Sequence, residues 1–263
     1  MPFTLSHPAA VLPLIARRRG PLIASALVAG SLAPDVPYFT ESLVHGTYGY
    51  GAATHAAWGV PTVDVLLAAA LVGFWHGLLR APLVALLPRR LAGRAEALTA
   101  RRRRWWPVRA ADVGWFVLSA ALGAATHVGW DSFTHHDRFG VRLLPVLNRT
   151  VAGEPLFSLL QYGSSALALL YVGRFVHRAL RSTEPVPLAP LPYRRRTALV
   201  GIAAAALLGT LFRIADRARL RLPLASPLEL IPTVAFGSIA GLTVGLTLHA
   251  LAARLSRLSR RPA

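Results

Sequence analysis

The chain contains no cysteine. That excludes disulfides, thiolate zinc sites and thiol nucleophiles, and leaves histidine and carboxylate as the only ligands for a metal. It contains no lysine either; all 29 basic residues are arginine, which, with abundant alanine, points to a GC-rich bacterial genome rather than to a mechanism. Acidic residues are scarce, 11 in 263, so the formal net charge is +18. In a soluble protein such a balance would suggest nucleic acid. Here 54% of the residues are hydrophobic, and the arginines cluster between apolar runs. That pattern fits cytoplasmic loops and lipid headgroups, so membrane lipids are the expected partners and no nucleic acid is.

The apolar runs approach the roughly 20 residues needed to cross a bilayer. The expected fold is an all-α, polytopic transmembrane bundle forming one integral membrane domain over residues 1–263. Residues 1–59 form an N-terminal hairpin and site loop, 60–175 the core spans, and 176–263 the C-terminal spans with a basic tail. Five spans are expected at Val60–Leu79, Ala110–Val128, Leu156–Phe175, Thr197–Phe212 and Leu228–Ala252. Residues 8–33 form a hydrophobic hairpin or a short sixth span, interrupted by Arg17-Arg18-Arg19. Met1 to His7 carries no arginine, so the start does not read as a signal peptide.

Arginine counts orient the bundle. Loops 80–109 and 174–196 and the tail carry nine, six and four; the opposite loops 129–155 and 213–227 carry three and four. The positive-inside rule puts the first set in the cytoplasm of a bacterial cell. His55, His127 and Asp131 then lie at the extracytoplasmic ends of their spans. Arg17-Arg18-Arg19 is the discordant item. A crossing segment after it makes these arginines cytoplasmic but carries His7 away; a hairpin keeps His7 close.

The chemistry concentrates in Thr126-His127-Val128-Gly129-Trp130-Asp131-Ser132-Phe133-Thr134-His135-His136-Asp137. His127, Asp131 and His135 are four apart and stack along one helix face, which makes half of a metal site. Asp35 lies in the rigid Pro34–Pro37 turn. Carboxylates beside a bilayer are expensive and usually functional, and a divalent metal would neutralise Asp35 and Asp131. Taken singly, each residue has a structural reading: polar helix capping for His127 and Asp131, an Asx-turn for Asp35, a satisfied loop histidine for His55, an N-terminal cap for His7.

Five stretches carry a resemblance: Met1–Ala10, Gly30–Phe39, Thr54-His55, His127-x-x-Trp130-Asp131-x-Phe133-Thr134-His135, and Leu160-Gln161-Tyr162-Gly163-Ser164-Ser165. Together they resemble the bacterial membrane family called domain of unknown function 4184. That family is similar to predicted membrane-bound metal-dependent hydrolases. More distantly, its residue order is similar to that of zinc-dependent phospholipases C and single-strand nucleases. The resemblance implies His7, Asp35, His55, His127 and Asp131 as ligands; His135 or His136, on local spacing, could supply one more. It further implies one or two divalent ions, zinc by type, and hydrolysis of a phosphoester or lipid with Asp35 or Asp131 orienting the attacking water. No clear His-x-x-x-Glu follows downstream, so a full three-metal cluster is not expected. The alternative is a non-catalytic protein with a structural or transport-related metal site; a third is a scaffold without metal.

The remaining polar residues have plainer readings. Asp64 and His76 do not share a helix face, and Asp64, near the outer end of its span, reads as an interfacial residue or as a residue supporting the site. His45, His177 and His249 read as loop, solvated and packing residues. Glu154 reads as a cap of the third span, and Gln161 as a helix-to-helix contact or a partner for a ligand. Arg138, Arg142 and Arg149 lie on the motif's side and suit an anionic substrate.

Overall fold

A computed structural model describes residues 3–16, 21–100, 109–188, 194–220 and 230–258. The arginine runs 17–19 and 101–104 lie outside the described residues. The fold is helical. After a 3-10 segment at Thr4–Ala10 come α1 (Leu12–Ala16), α2 (Ala24–Leu32), α3 (Val36–Thr40) and α4 (Gly51–Thr54). Then follow α5 (Val63–Phe74), α6 (Arg80–Leu86), α7 (Arg89–Thr99), α8 (Ala110–Thr134) and α9 (Phe139–Leu143). Last are α10 (Leu156–Arg181), α11 (Arg195–Arg219) and α12 (Leu230–Leu258). The described β-structure is one two-residue hairpin, β1 (Thr150–Val151) with β2 (Glu154–Pro155), just before α10.

Five helical stretches among the described residues are long and apolar enough to cross a membrane: 63–86, 110–134, 156–181, 195–219 and 230–256. These are the five expected spans with shifted ends. The first runs on to Leu86 because Pro82 does not break it. Proline offers no N–H and crowds the carbonyl one turn back, and the helix absorbs this as a π-turn over Trp75–Leu79. Arg254 of α12 donates to the Gly77 carbonyl, which a π-type bond would otherwise send to Pro82. The second span extends six residues beyond Val128, through the whole His/Asp motif to Thr134.

The N-terminal segment folds back against the spans. Small residues allow α2 to lie directly on α8. A Cβ on Gly30 would meet the Ala120 carbonyl oxygen at 2.1 Å, and one on Gly123 would meet the Leu27 oxygen at 2.2 Å. Backbone contact of this kind is how glycine packs membrane helices. Ile23 N–H donates to Ser119 Oγ at 3.0 Å, and His127 Nδ1 bonds the Ser31 carbonyl at 2.8 Å. Both pairs have a sequence offset of 96, so α2 and α8 run parallel. The core below the site is correspondingly small-grained: Ala26, Ala29 and Ala33 of the N-terminal segment, Val65, Ala68 and Val72 of α5, Phe116 and Ala120 of α8.

Ser6 approaches Ser165 of α10, while Ala16 lines a cavity with Tyr171 and Arg178 near the far end of α10. The segment therefore leaves the site end along α10 and returns along α8. It is a hairpin, and both His7 and Asp35 stay at the same end of the bundle. The last two spans form their own tight pair, with Gly209, Gly237 and Gly241 in backbone contact across α11 and α12.

Candidate metal centre

Four segments deliver the site. The parallel packing of α2 on α8 sets Asp35, in the 3-10 turn that ends α2, against His127 and Asp131. The Thr54 hydroxyl donates to the Pro34 carbonyl at 2.7 Å, which pins the His55 loop to the same turn. The 3-10 segment brings His7 onto His127, with ring centroids 3.7 Å apart and planes 18° apart. All five side chains are buried: Asp35 and His127 fully, Asp131, His55 and His7 nearly so.

Asp35, His55, His127 and Asp131 each offer one ligand atom, and these four atoms lie within 4.8 Å of one another. His127 Nε2 is 3.4 Å from Asp35 Oδ1 and 3.5 Å from Asp131 Oδ2. His55 Nε2 is 3.7 Å from Asp35 Oδ1 and 3.5 Å from Asp131 Oδ2. Ligand atoms held 2.0–2.1 Å from one tetrahedral centre are about 3.3–3.4 Å apart. The spacing suits a small cation and is too long for hydrogen bonds to be the organising force.

The hydrogen bonding around the cluster agrees. His127 Nδ1 is held by the Ser31 carbonyl, and His55 Nδ1 by the Gly51 carbonyl at 3.0 Å. A carbonyl can only accept, so each Nδ1 carries a proton, and each Nε2, directed at the carboxylates, is the nitrogen left to bind a cation. This is the outer-layer arrangement of metal-binding histidines. Thr4 donates to Asp35 Oδ2, leaving Oδ1 for the centre. Asp35 Oδ1, His127 Nε2 and Asp131 Oδ1 are buried with no hydrogen-bond partner. Buried acceptors facing acceptors are costly without a cation between them. A proton satisfies one such pair; a metal satisfies all four ligands together. The residues present therefore fit a metal ion.

The other sequence-derived ligands lie at the edge. His7 Nε2 is 3.6 Å from Asp131 Oδ1, the oxygen facing away from the four-ligand group. Burial, reinforced by neighbouring His127, pushes the His7 pKa down to about 3, so His7 is neutral, as a ligand must be. His135 Nδ1 lies 3.8 Å from Asp131 Oδ2. Its Nδ1 also bonds the Asp131 carbonyl at 3.3 Å, and the Gln161 amide donates to its Nε2 at 2.9 Å. His135 is thus outside the four-residue group, fixed between α8 and α10, and burial lowers its pKa. Gln161 makes a helix-to-helix contact through that bond. His136 lines the neighbouring cavity. His45 is away from the centre, paired with Glu41 at 3.6 Å.

Asp64 is fully buried in the first turn of α5, neither carboxylate oxygen has a hydrogen bond, and it lies within electrostatic reach of His127 and Asp35, which places it beside the site. That position follows from α5 packing on α2, which hydropathy cannot report. Glu154 pairs in β2, directly before Pro155 at the N-cap of α10. Sequence reasoning also gave no role to Thr4, Ser31 or Gly51. Thr4 and Ser31 fall in the opening and Pro-Asp stretches, but the carbonyls that hold the histidines leave no trace in residue identity.

A cavity of about 440 Å³ opens beside the centre. Asp131 and His55 form its floor, and His136, Asp137, Arg138 and Arg142 its wall. Asp35 and His127 do not reach it. Arg138 also interacts with Tyr38, whose ring is 5.5 Å from that of His55. Burial pushes the Tyr38 pKa up to about 12.

Fold and site together define a polytopic helical membrane protein with a buried His/Asp cluster able to hold a metal ion at one end of its bundle. The chain belongs to the family described as Domain of unknown function (DUF4184), whose profile matches residues 1–251. No curated protein and no solved structure matches it significantly.

Proposed function

We propose that the protein is a membrane-bound, metal-dependent hydrolase acting on a phosphoester, lipid-borne or soluble. The observation that carries this reading is the convergence of two imidazoles and two carboxylates at metal-ligand spacing, opening through Asp131 onto an arginine-walled cavity. The holding residues are Asp35, His55, His127 and Asp131, with His7 and His135 flanking Asp131. The nitrogen and oxygen donor set, without thiolate, would suit zinc, as one ion or two. A bound zinc supplies Lewis acidity, neutralising the carboxylates and acidifying water.

The chain's own residues supply the rest. Asp131 is the carboxylate that reaches the cavity, so it orients the attacking water and takes its proton. Asp35 is sealed and contributes charge and position. Arg138 and Arg142 hold phosphate oxygens. In the reaction, water's oxygen joins phosphorus, the bond to the leaving oxygen breaks, and the proton passes to that oxygen. The site faces the extracytoplasmic side of the bacterial cell membrane in this reading, on the arginine distribution.

The second reading is a non-catalytic metal site, structural or transport-related; the complete burial of Asp35 and His127 favours it. Metal-loaded wild type and Asp131→Asn, assayed on a chromogenic phosphodiester, separate the two. Turnover lost in the variant with folding retained supports the hydrolase. Metal bound by wild type without turnover of any phosphoester supports the second reading.

A further inference from the structure

A second cavity, of about 520 Å³, lies on the other side of Asp131. It is mostly apolar. Ala125, Gly129 and Phe133 of α8 line it with Ala168 of α10, and His7 and Ala10 close it. Both helices are candidate membrane spans, and Leu167 and Leu170 of α10 are about 70% exposed, at 70% and 71%, as hydrocarbon-facing residues would be. The two cavities meet at one contact. His7, in the apolar cavity, is 3.6 Å from Asp131 Oδ1, and Asp131 floors the charged one.

The charged cavity fits an anion. Arg138 and Arg142 stand on its wall, and the Arg142–Asp137 pair is long, at 3.9 Å, and exposed. An exposed pair of that kind is weak, so Arg142 can exchange Asp137 for a phosphate. Apolar and anion-binding cavities that flank one centre and touch through His7 and Asp131 suit a ligand with both chemistries.

We infer that the substrate is a membrane amphiphile, with its phosphoester head against Arg138 and Arg142 and one hydrocarbon chain in the cavity between α8 and α10. This rests on the hydrolase reading and adds the substrate class. The apolar cavity is occupied by the chain of the substrate itself, because it ends at His7, which contacts the carboxylate that faces the phosphoester.

Gly129 makes the inference testable. A Cβ there meets nothing within 4 Å, so Gly129→Leu fills the cavity without displacing backbone. The full-length, metal-loaded protein in detergent is assayed on hexadecyl 4-nitrophenyl phosphate and ethyl 4-nitrophenyl phosphate. The quantity read is the ratio of kcat/KM, long ester over short; partition into micelles is common to wild type and variant and cancels. Filling an apolar pocket by a few methyl groups should lower that ratio about tenfold or more. Arg142→Ala should raise KM for both esters and leave the ratio alone. Ala168→Leu serves as a second filling variant if Gly129→Leu does not fold. An unchanged ratio in folded filling variants overturns the amphiphile inference while wild-type turnover of the ethyl ester leaves the hydrolase reading intact. No turnover of either ester by metal-loaded wild type overturns both.

Discussion

His127 and Asp35 come from segments 92 residues apart, yet Nε2 of one faces Oδ1 of the other at 3.4 Å, and neither atom has a hydrogen-bond partner. A proton could satisfy that pair alone, whereas the whole group of Asp35, His55, His127 and Asp131 is satisfied together by a metal ion. Protein purified without chelator should therefore carry a transition metal by elemental analysis. Asp35→Asn or Asp131→Asn should weaken metal affinity by tenfold or more. Equal, negligible metal in wild type and both variants would remove the site.

Thr4 acts on the centre at one remove, through its bond to Asp35 Oδ2. Thr4→Val keeps the shape and deletes the donor. Loss of such outer-layer bonds typically costs about 10–100-fold in metal affinity. A metal titration monitored by thermal stability reads this, with Thr4→Ser expected to restore wild-type affinity. If valine and serine behave alike, Thr4 only packs.

The α2–α8 contact makes an opposite pair of glycine predictions. Gly30→Leu drives a side chain into the Ala120 backbone and should destabilise by about 1–3 kcal/mol or more, with metal lost as the helices part. Gly129→Ala points into open space and should shift the unfolding midpoint by little. Similar midpoints for the two variants in detergent would contradict the packing.

The pH dependence follows from His7. Its folded pKa, about 3, lies below the ordinary 6.5. Between those values the unfolded chain binds a proton that the folded chain refuses. The stability held above pH 6.5 is therefore lost progressively as pH falls through 6.5 towards 3, at up to about 1.4 kcal/mol per pH unit for this group. Unfolding midpoints of metal-stripped protein from pH 7 to pH 5 should fall, and His7→Phe should flatten the slope. An unaltered slope in the variant assigns the dependence elsewhere.

A reporter fused near residue 145 should give an extracytoplasmic signal, and one near residue 186 a cytoplasmic one, as the arginine distribution requires. Reversed signals would invert the orientation of the site.

Much of this architecture was legible in the residues. Span starts at Ala110 and Leu156 coincide with the hydropathy reading, because those boundaries are set by composition. Span ends were not legible. Hydropathy stops at Val128, where polar residues begin, whereas the helix continues because His127, Asp131 and Thr134 are buried against other segments. Asp35, His55, His127 and Asp131 come together as expected, since their chemistry is costly anywhere else beside a bilayer. The burial of Asp64 was not legible, because it depends on which face α5 turns to α2. His135 ranked with the ligands on spacing alone; only the fold brings Gln161 to its Nε2.

The hairpin packing has a consequence for synthesis. His7 and Asp35 leave the ribosome long before their partners, and Asp131 follows Asp35 by 96 residues. At roughly 5–20 residues per second, the early half waits about 5–20 s with its small-residue face uncovered. Completion of α8 thus marks the earliest moment at which the centre can form, and a chain stalled before it holds charged groups beside lipid with nothing to answer them.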